Sequence, residues 1–129
     1  KAFGTYTGPQ AMKMAGVSHT DFDLAMLYDS FTYTVLITLE NLGFCEPGDG
    51  PDFIKSKILG PGGNFPLNTN GGGLSYTHPG MYGIFTVVEA ARQMRNQAKD
   101  RQLNKCNLAL VHGTGGLLSS TGTVILGKD

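Results

Sequence analysis

The chain has 129 residues, 40% of them hydrophobic, which is enough for one domain with a core of its own. Ten basic and ten acidic residues cancel, so no electrostatic argument points to nucleic acid or an anionic membrane as a partner. No apolar stretch approaches the roughly 20 residues that span a bilayer, no signal peptide is visible, and Cys45 and Cys106 form neither a disulfide framework nor a zinc pattern; reduced thiols in a cytoplasmic protein are the expectation.

Residues 1–7 are too short to assign and are read as a linker or a strand end. Gly8-Pro9 opens a helical pattern that runs to Gly16, since proline suits a first helical turn and glycine a C-terminal stop. Asp23 to Tyr28 is a short apolar run, expected to be a buried strand. Asp29 and Ser30 stand where they can cap a helix from Phe31 to about Leu42, which Gly43 ends. That helix is apolar nearly all round, which predicts burial. A strand, a tight turn and a helix put Tyr28 and Asp29 at the strand's carboxyl end, the edge where open α/β sheets bind ligands.

Cys45 to Asp52 is a loop, and Phe53 to Leu59 is read as a short helix. An extended segment, residues 65–68, leads into a glycine-rich loop from Asn68 through Gly71, Gly72 and Gly73 to His78 and Pro79. From Pro79 to about Ala98, Met81, Ile84, Val87, Val88, Ala91 and Met94 recur at helical spacing, with Glu89, Arg92, Arg95 and Lys99 marking the solvent side. Cys106 to Val111 reads as a strand, Gly113 to Gly116 as a turn, and the alternating, Thr- and Val-rich run Ser120 to Leu126 as its hairpin partner. The order predicts a single α/β domain over 1–129, a mixed sheet with helices packed against it.

The glycine loop resembles the histidine loop of the thiolase superfamily, Asn-x-x-Gly-Gly-x-Ile-Ala-x-Gly-His-Pro: Asn68 or Asn70, Gly71, Gly72, Leu74, Ser75, His78 and Pro79 fit it. Two further blocks match in order. Tyr28-Asp29-Ser30-Phe31 falls where thiolases carry Asn-Glu-Ala-Phe and sterol-carrier thiolases carry His-Asp-Cys-Phe. His112-Gly113-Thr114-Gly115-Gly116 falls where they carry Cys-x-Gly-Gly-Gly. The resemblance implies the layered thiolase fold, built from two similar halves of which this chain resembles the second. A chain opening on Lys1 rather than methionine agrees with part of something longer.

His78 is the first candidate for chemistry, because an imidazole takes and gives protons near pH 7 with little tuning. The resemblance makes it the histidine that activates a nucleophilic cysteine or binds the thioester oxygen. His112 stands where the resemblance places a proton-shuttling cysteine; the other reading is a histidine that fills a turn. Tyr28 stands where thiolases carry an asparagine that orients water, and its phenol can donate to an oxyanion; the other reading is a strand-end tyrosine with its ring in the core. Asp29 reads as a helix cap. Gly72, Gly73, Gly115 and Gly116 are expected to shape the pocket floor and offer backbone amides to substrate. Tyr28, His78 and His112 are expected to converge on one pocket. Neither Cys45 nor Cys106 lies in the family's nucleophile motif, so the nucleophile is expected from a first half.

The expected function is therefore the second half of a thiolase-like acyltransferase, of the acetyl-CoA acetyltransferase type, working at a carbon–carbon bond beside an acyl thioester. The sterol-carrier and lipid-transfer branch is the nearest resemblance. Coenzyme A enters as part of the substrate, with no other cofactor and no metal expected. The partners implied are an N-terminal thiolase half, a second copy in a homodimer or larger oligomer, and, in the lipid-transfer branch, a zinc-ribbon and OB-fold protein. Two alternatives stand beside it: a retro-aldolase of that branch, and a non-catalytic scaffold that shapes a partner's site.

Overall fold

A computed structural model describes residues 4–116 and 118–128. Helix α1 spans Gly4–Ala15, strand β1 Leu24–Leu27, helix α2 Thr32–Leu42 and helix α3 Gly50–Lys55. A single-turn helix α4, Gly73–Tyr76, precedes α5, Gly83–Met94; strands β2, Leu108–Gly115, and β3, Ser120–Gly127, close the chain. β1 runs parallel to β2 and β2 antiparallel to β3, in the order β1-β2-β3. Leu67 lies parallel beside Ala25 as a further rung at the β1 edge, with Asn68 N–H donating to Ala25 O at 3.0 Å.

Strand side chains alternate between faces, and here each face has its own core. Leu24 and Met26 of β1, with Ala109 and Val111 of β2, pack against Ala90, Val87 and Met94 of α5. Leu27 and Leu110 face the other way, onto Leu39 and Leu42 of α2 and the flanking Phe53 and Ile54 of α3. Each such leucine taken from water contributes about 1.5–3 kcal/mol. The sheet is mixed with helices packed against it, as the order of elements predicted, and the structure adds that the helices cover both faces, giving three layers.

Several boundaries differ from the sequence expectation, each for a local reason. Helix α1 begins at Gly4, upstream of Pro9, which lies inside it; residues 1–3 of the expected linker lie outside the described residues. Its buried stripe is Gly4, Gly8 and Met12, one face at i, i+4 and i+8, and the missing side chains let α1 close onto α2 and the sheet. Helix α2 ends as expected at Gly43, whose φ of 86° is left-handed, with Phe44 N–H returning to Leu39 O at 3.0 Å. Asp29 and Ser30 do not cap it; Phe31 holds the N-cap position with no side-chain bond. Nor is it buried all round, since Phe31 and Tyr33 are exposed.

The long helix expected from Pro79 to Ala98 is shorter at both ends. Asn96, at φ 55°, closes it, with Gln97 N–H on Arg92 O and Asn96 N–H on Gln93 O, the Schellman pattern that asparagine tolerates as glycine does. Its inward face is also only partly the expected apolar one: Val87 and Met94 pack on the core, but polar side chains share that face. Thr86, Glu89, Ala90 and Gln93 are buried, while Met81 before the helix is 82% exposed and Ile84 within it 60%. Glu89, expected on the solvent side, is 2% exposed. Arg101 Nε and Nη2 donate to its two oxygens at 2.9 Å each, and Thr69 Oγ1 and Gln93 Nε2 donate to Oε1 at 2.9 and 3.1 Å. A buried carboxylate with that many donors is compensated, so burying it is tolerable.

Candidate active site

β1 ends at the carboxyl edge of the sheet, and the chain there carries Tyr28 and Asp29 in succession. Extended backbone sends them to opposite faces. Tyr28 lies on the α5 side, its ring edge to face with Tyr82 at 5.5 Å and with His78 at 6.0 Å between centroids. Tyr82 is fully buried and stacks on Phe85 at 5.7 Å. Burial, and then the hydrogen bond with Tyr76, push the Tyr82 phenol well above its usual range, so it stays a neutral wall for Tyr28. His78 is exposed. Tyr28 lines a cleft of about 400 Å³ with Met81, Gly83 and Ile84 on one side and Gly113, Gly115 and Thr121 on the other.

The loop that carries His78 is fastened to β1 at two places. Asn68 Oδ1 accepts Leu27 N–H at 2.7 Å and its Nδ2 donates to Leu27 O at 2.9 Å, so a side-chain amide stands in for a strand rung. Asp29, buried, accepts Gly73 N–H on Oδ1 at 2.8 Å and Leu74 N–H on Oδ2 at 3.1 Å. Asn70 Oδ1 accepts Gly72 N–H at 3.0 Å, while its Nδ2 donates to the Tyr76 and Tyr82 hydroxyls at 3.0 and 3.4 Å.

Two expectations about this site are corrected. His112 does not join Tyr28 and His78. Ala109 and Val111 of β2 face α5, so His112 and Leu110 face α1 and α2. Its register partner is Thr123, whose hydroxyl is bonded to Thr7 of α1 at 2.9 Å, and its Nδ1 is hydrogen-bonded to Thr123 Oγ1 at 2.8 Å. Its ring also abuts Gly4: a Cβ placed there would stand 3.5 Å from His112 Cε1. Burial drives the imidazole down to about 4, leaving it neutral near pH 7. On the face toward Tyr28 the same strand presents Gly113, whose ideal Cβ would meet Gly83 Cα at 4.0 Å. One residue of register decides the face. The second correction concerns Gly72 and Gly73, whose amides are already given to Asn70 and Asp29 and are not open to substrate. Gly115 does line the cleft, whereas Gly116, at φ 58°, turns the hairpin beyond it.

Asp29, Asn68, Asn70 and Tyr82 are the contributors that sequence reasoning missed or read otherwise. Asn68 and Asn70 fell within the matched loop; nothing local to Asp29 indicated a partner 44 residues away. Both thiols are raised, Cys45 by burial and then by Glu40, Asp49 and Glu46, and Cys106 by burial to about 11. Neither is disposed to be a thiolate nucleophile.

The fold and the edge-of-sheet site define a thiolase-like half, and the comparisons agree. The family model described as thiolase C-terminal domain-like matches residues 4–128, and the chain belongs to that family. It is 40% identical over 122 residues to a steroid side-chain-cleaving aldolase of Thermomonospora curvata, covering 95% of this chain and 30% of that protein. A 17-hydroxy-3-oxo-4-pregnene-20-carboxyl-CoA lyase of Mycobacterium tuberculosis is 38% identical, over 84% of this chain and 28% of the lyase. Among solved structures, the Ltp2-ChsH2(DUF35) aldolase superposes with a TM-score of 0.85 at 35% identity, over 96% of this chain and 31% of that one. The chain thus spans just under a third of the length of these relatives. No described helix is long and apolar enough to cross a membrane.

Proposed function

We propose that this chain is the thiolase C-terminal domain-like part of a longer thiolase-like enzyme that cleaves or forms a carbon–carbon bond beside an acyl-CoA thioester, working as a retro-aldolase. The observation that carries the reading is the edge-to-face placement of the Tyr28 phenol against the His78 imidazole, 6.0 Å between centroids, beside the cleft. A retro-aldol step asks for those two kinds of group and no acyl-enzyme. A base removes the proton of a hydroxyl on the carbon β to the thioester. The alkoxide collapses to a ketone or aldehyde, the bond between the α and β carbons breaks, and its electron pair enters the thioester as an enolate. A proton at the α carbon then gives the shortened acyl-CoA. Tyr28 is assigned the proton of the β-oxygen, and His78 the hydrogen bond to the thioester oxygen where the enolate charge develops.

The first two relatives named above are an aldolase and a lyase, which favours this reading over acyl transfer. The second reading, an acyltransferase whose nucleophilic cysteine comes from a first half, keeps the support of the His78-Pro79 loop. The exposed apolar residues Met81, Ile84, Phe85 and Val88 suit a face covered by a thiolase-like first half, in the same chain or another. A zinc-ribbon and OB-fold partner, and a homodimer, belong to the same proposal; the similar aldolase structure is named for Ltp2 together with a DUF35 protein.

The test supplies the complete protein with a CoA ester bearing a tertiary hydroxyl on the β carbon. Ketone and shortened acyl-CoA should form without added free CoA. Turnover of 3-oxoacyl-CoA that depends on added CoA, with none of the hydroxy ester, would replace this reading with acyl transfer. Turnover of neither would leave the scaffold.

A further inference from the structure

Leu27, Tyr28 and Asp29 are three consecutive residues, and each holds a different part of the catalytic loop's surroundings. Leu27 carries the Asn68 side chain on its backbone N–H and C=O. Asp29 receives the Gly73 and Leu74 amides at 2.8 and 3.1 Å. Tyr28, between them, faces the other side and meets the His78 ring. The segment 68–74 is therefore fastened at both ends to the two residues that flank Tyr28.

The glycines are shaped to this carboxylate. Gly72 adopts φ 72°, ψ 176°, and a Cβ on it would run into Asp29; one on Gly73 would stand 3.2 Å from Asp29 Oδ1. From Gly73 the chain makes a single turn, with Thr77 N–H closing on Gly73 O at 3.1 Å, and His78 follows. Both Asp29 oxygens accept backbone N–H groups and the residue is 4% exposed. Both oxygens are thus engaged by the loop, on the face of the sheet opposite Tyr28 and His78. An ionised carboxylate on two amides makes stronger and shorter bonds than a neutral acceptor would.

We propose that Asp29 is a positioning residue: its carboxylate sets the distance and orientation of His78 relative to Tyr28 by anchoring the Gly73 and Leu74 amides. The inference rests on the reading of Tyr28 and His78 as the reacting pair. Asp29→Asn keeps the size of the side chain but turns one acceptor into a donor facing an N–H. In the complete protein, kcat should fall at least ten-fold with KM within two-fold of wild type. Gly73→Ala, which crowds Oδ1 without removing the charge, should show the same split to a smaller extent.

A second measurement does not depend on turnover. Diethyl pyrocarbonate modification of His78 should change at least three-fold in Asp29→Asn, with His19 and His112 unchanged as controls for the rest of the fold. Wild-type kcat and an unchanged His78 rate in Asp29→Asn would overturn the proposal. So would a parallel collapse of kcat, KM and melting temperature in both variants, which marks a purely structural anchor. If the wild-type protein shows no carbon–carbon chemistry, the proposed function fails, and the His78 modification rate still decides whether Asp29 places that ring.

Discussion

Tyr28 N–H donates to His112 O at 2.9 Å, so the two residues are bonded through their backbones while their side chains point to opposite faces of the sheet. Leu27, not Tyr28, is the register partner of His112. The imidazole of His112 is thereby committed to the α1 and α2 side, where it bonds to Thr123. This one relationship reduces the three-residue site to a pair and separates the expected behaviour of the two histidines.

Tyr28→Phe and His78→Ala should each lower kcat of the complete protein by about 10²–10⁴, the range for a lost acid, base or oxyanion donor. His112→Gln should leave kcat within a few-fold, because its ring lies behind the sheet. Steady-state kinetics of the three variants at one pH, with circular dichroism to confirm folding, checks this. A His112→Gln enzyme as impaired as His78→Ala would return His112 to the mechanism.

His112 should instead govern stability in mild acid. Burial holds its folded value at about 4 against 6.5 for the free group. Above pH 6.5 both states are neutral at this residue and folding is unaffected. As pH falls from 6.5 toward 4 the unfolded chain binds a proton that the folded chain refuses, so stability declines. The full difference corresponds to about 3 kcal/mol at ~1.4 kcal/mol per pH unit. Denaturation midpoints of the complete protein from about pH 7.5 to about pH 4.5 should fall with pH and should fall less in His112→Gln. Equal slopes in the two proteins would contradict this assignment.

Glu89 should be among the costliest polar positions to change. Glu89→Ala leaves Arg101, Thr69 and Gln93 without their common acceptor; the Arg101 side chain is 32% exposed and regains water, whereas each buried donor left unsatisfied costs about 1–3 kcal/mol. Glu89→Gln keeps the shape and should cost less, and Glu89→Ala combined with Arg101→Ala should cost less than the sum of the singles. Chemical denaturation supplies all four values; strict additivity would mean that the two side chains do not interact.

The exposed side of α5 gives a prediction with opposite signs in two contexts. Ile84→Asp and Val88→Asp should be tolerated by residues 1–129 alone, where both side chains meet solvent. In the complete protein the same changes should lower the melting temperature by several degrees, since a charge would be buried without a partner. A complete protein indifferent to both substitutions would show that this face stays open.

Local patterns in the chain were sufficient for the elements whose signals are local. The alternation of Ser120 to Leu126 gives a hairpin strand, and Gly43 ends α2 where a left-handed residue is needed. The apolar run from Leu24 to Leu27 is buried residue for residue, and the three motif blocks pointed to the family that residues 4–128 match. What the pattern could not hold were quantities set by distant partners. Asp29 beside a helix start reads as a cap, because its true donors lie 44 and 45 residues away. Glu89 on a periodic helix reads as solvent-facing, because Arg101 had not yet been brought beneath it. His112 reads as a site residue because motif spacing fixes a neighbourhood in sequence, and a strand inverts its side chains with each residue. Composition and periodicity act within a few residues, and they determined the elements and the family. Only tertiary packing pairs groups tens of residues apart and sets each strand's register, and that decided which of the matched residues meet.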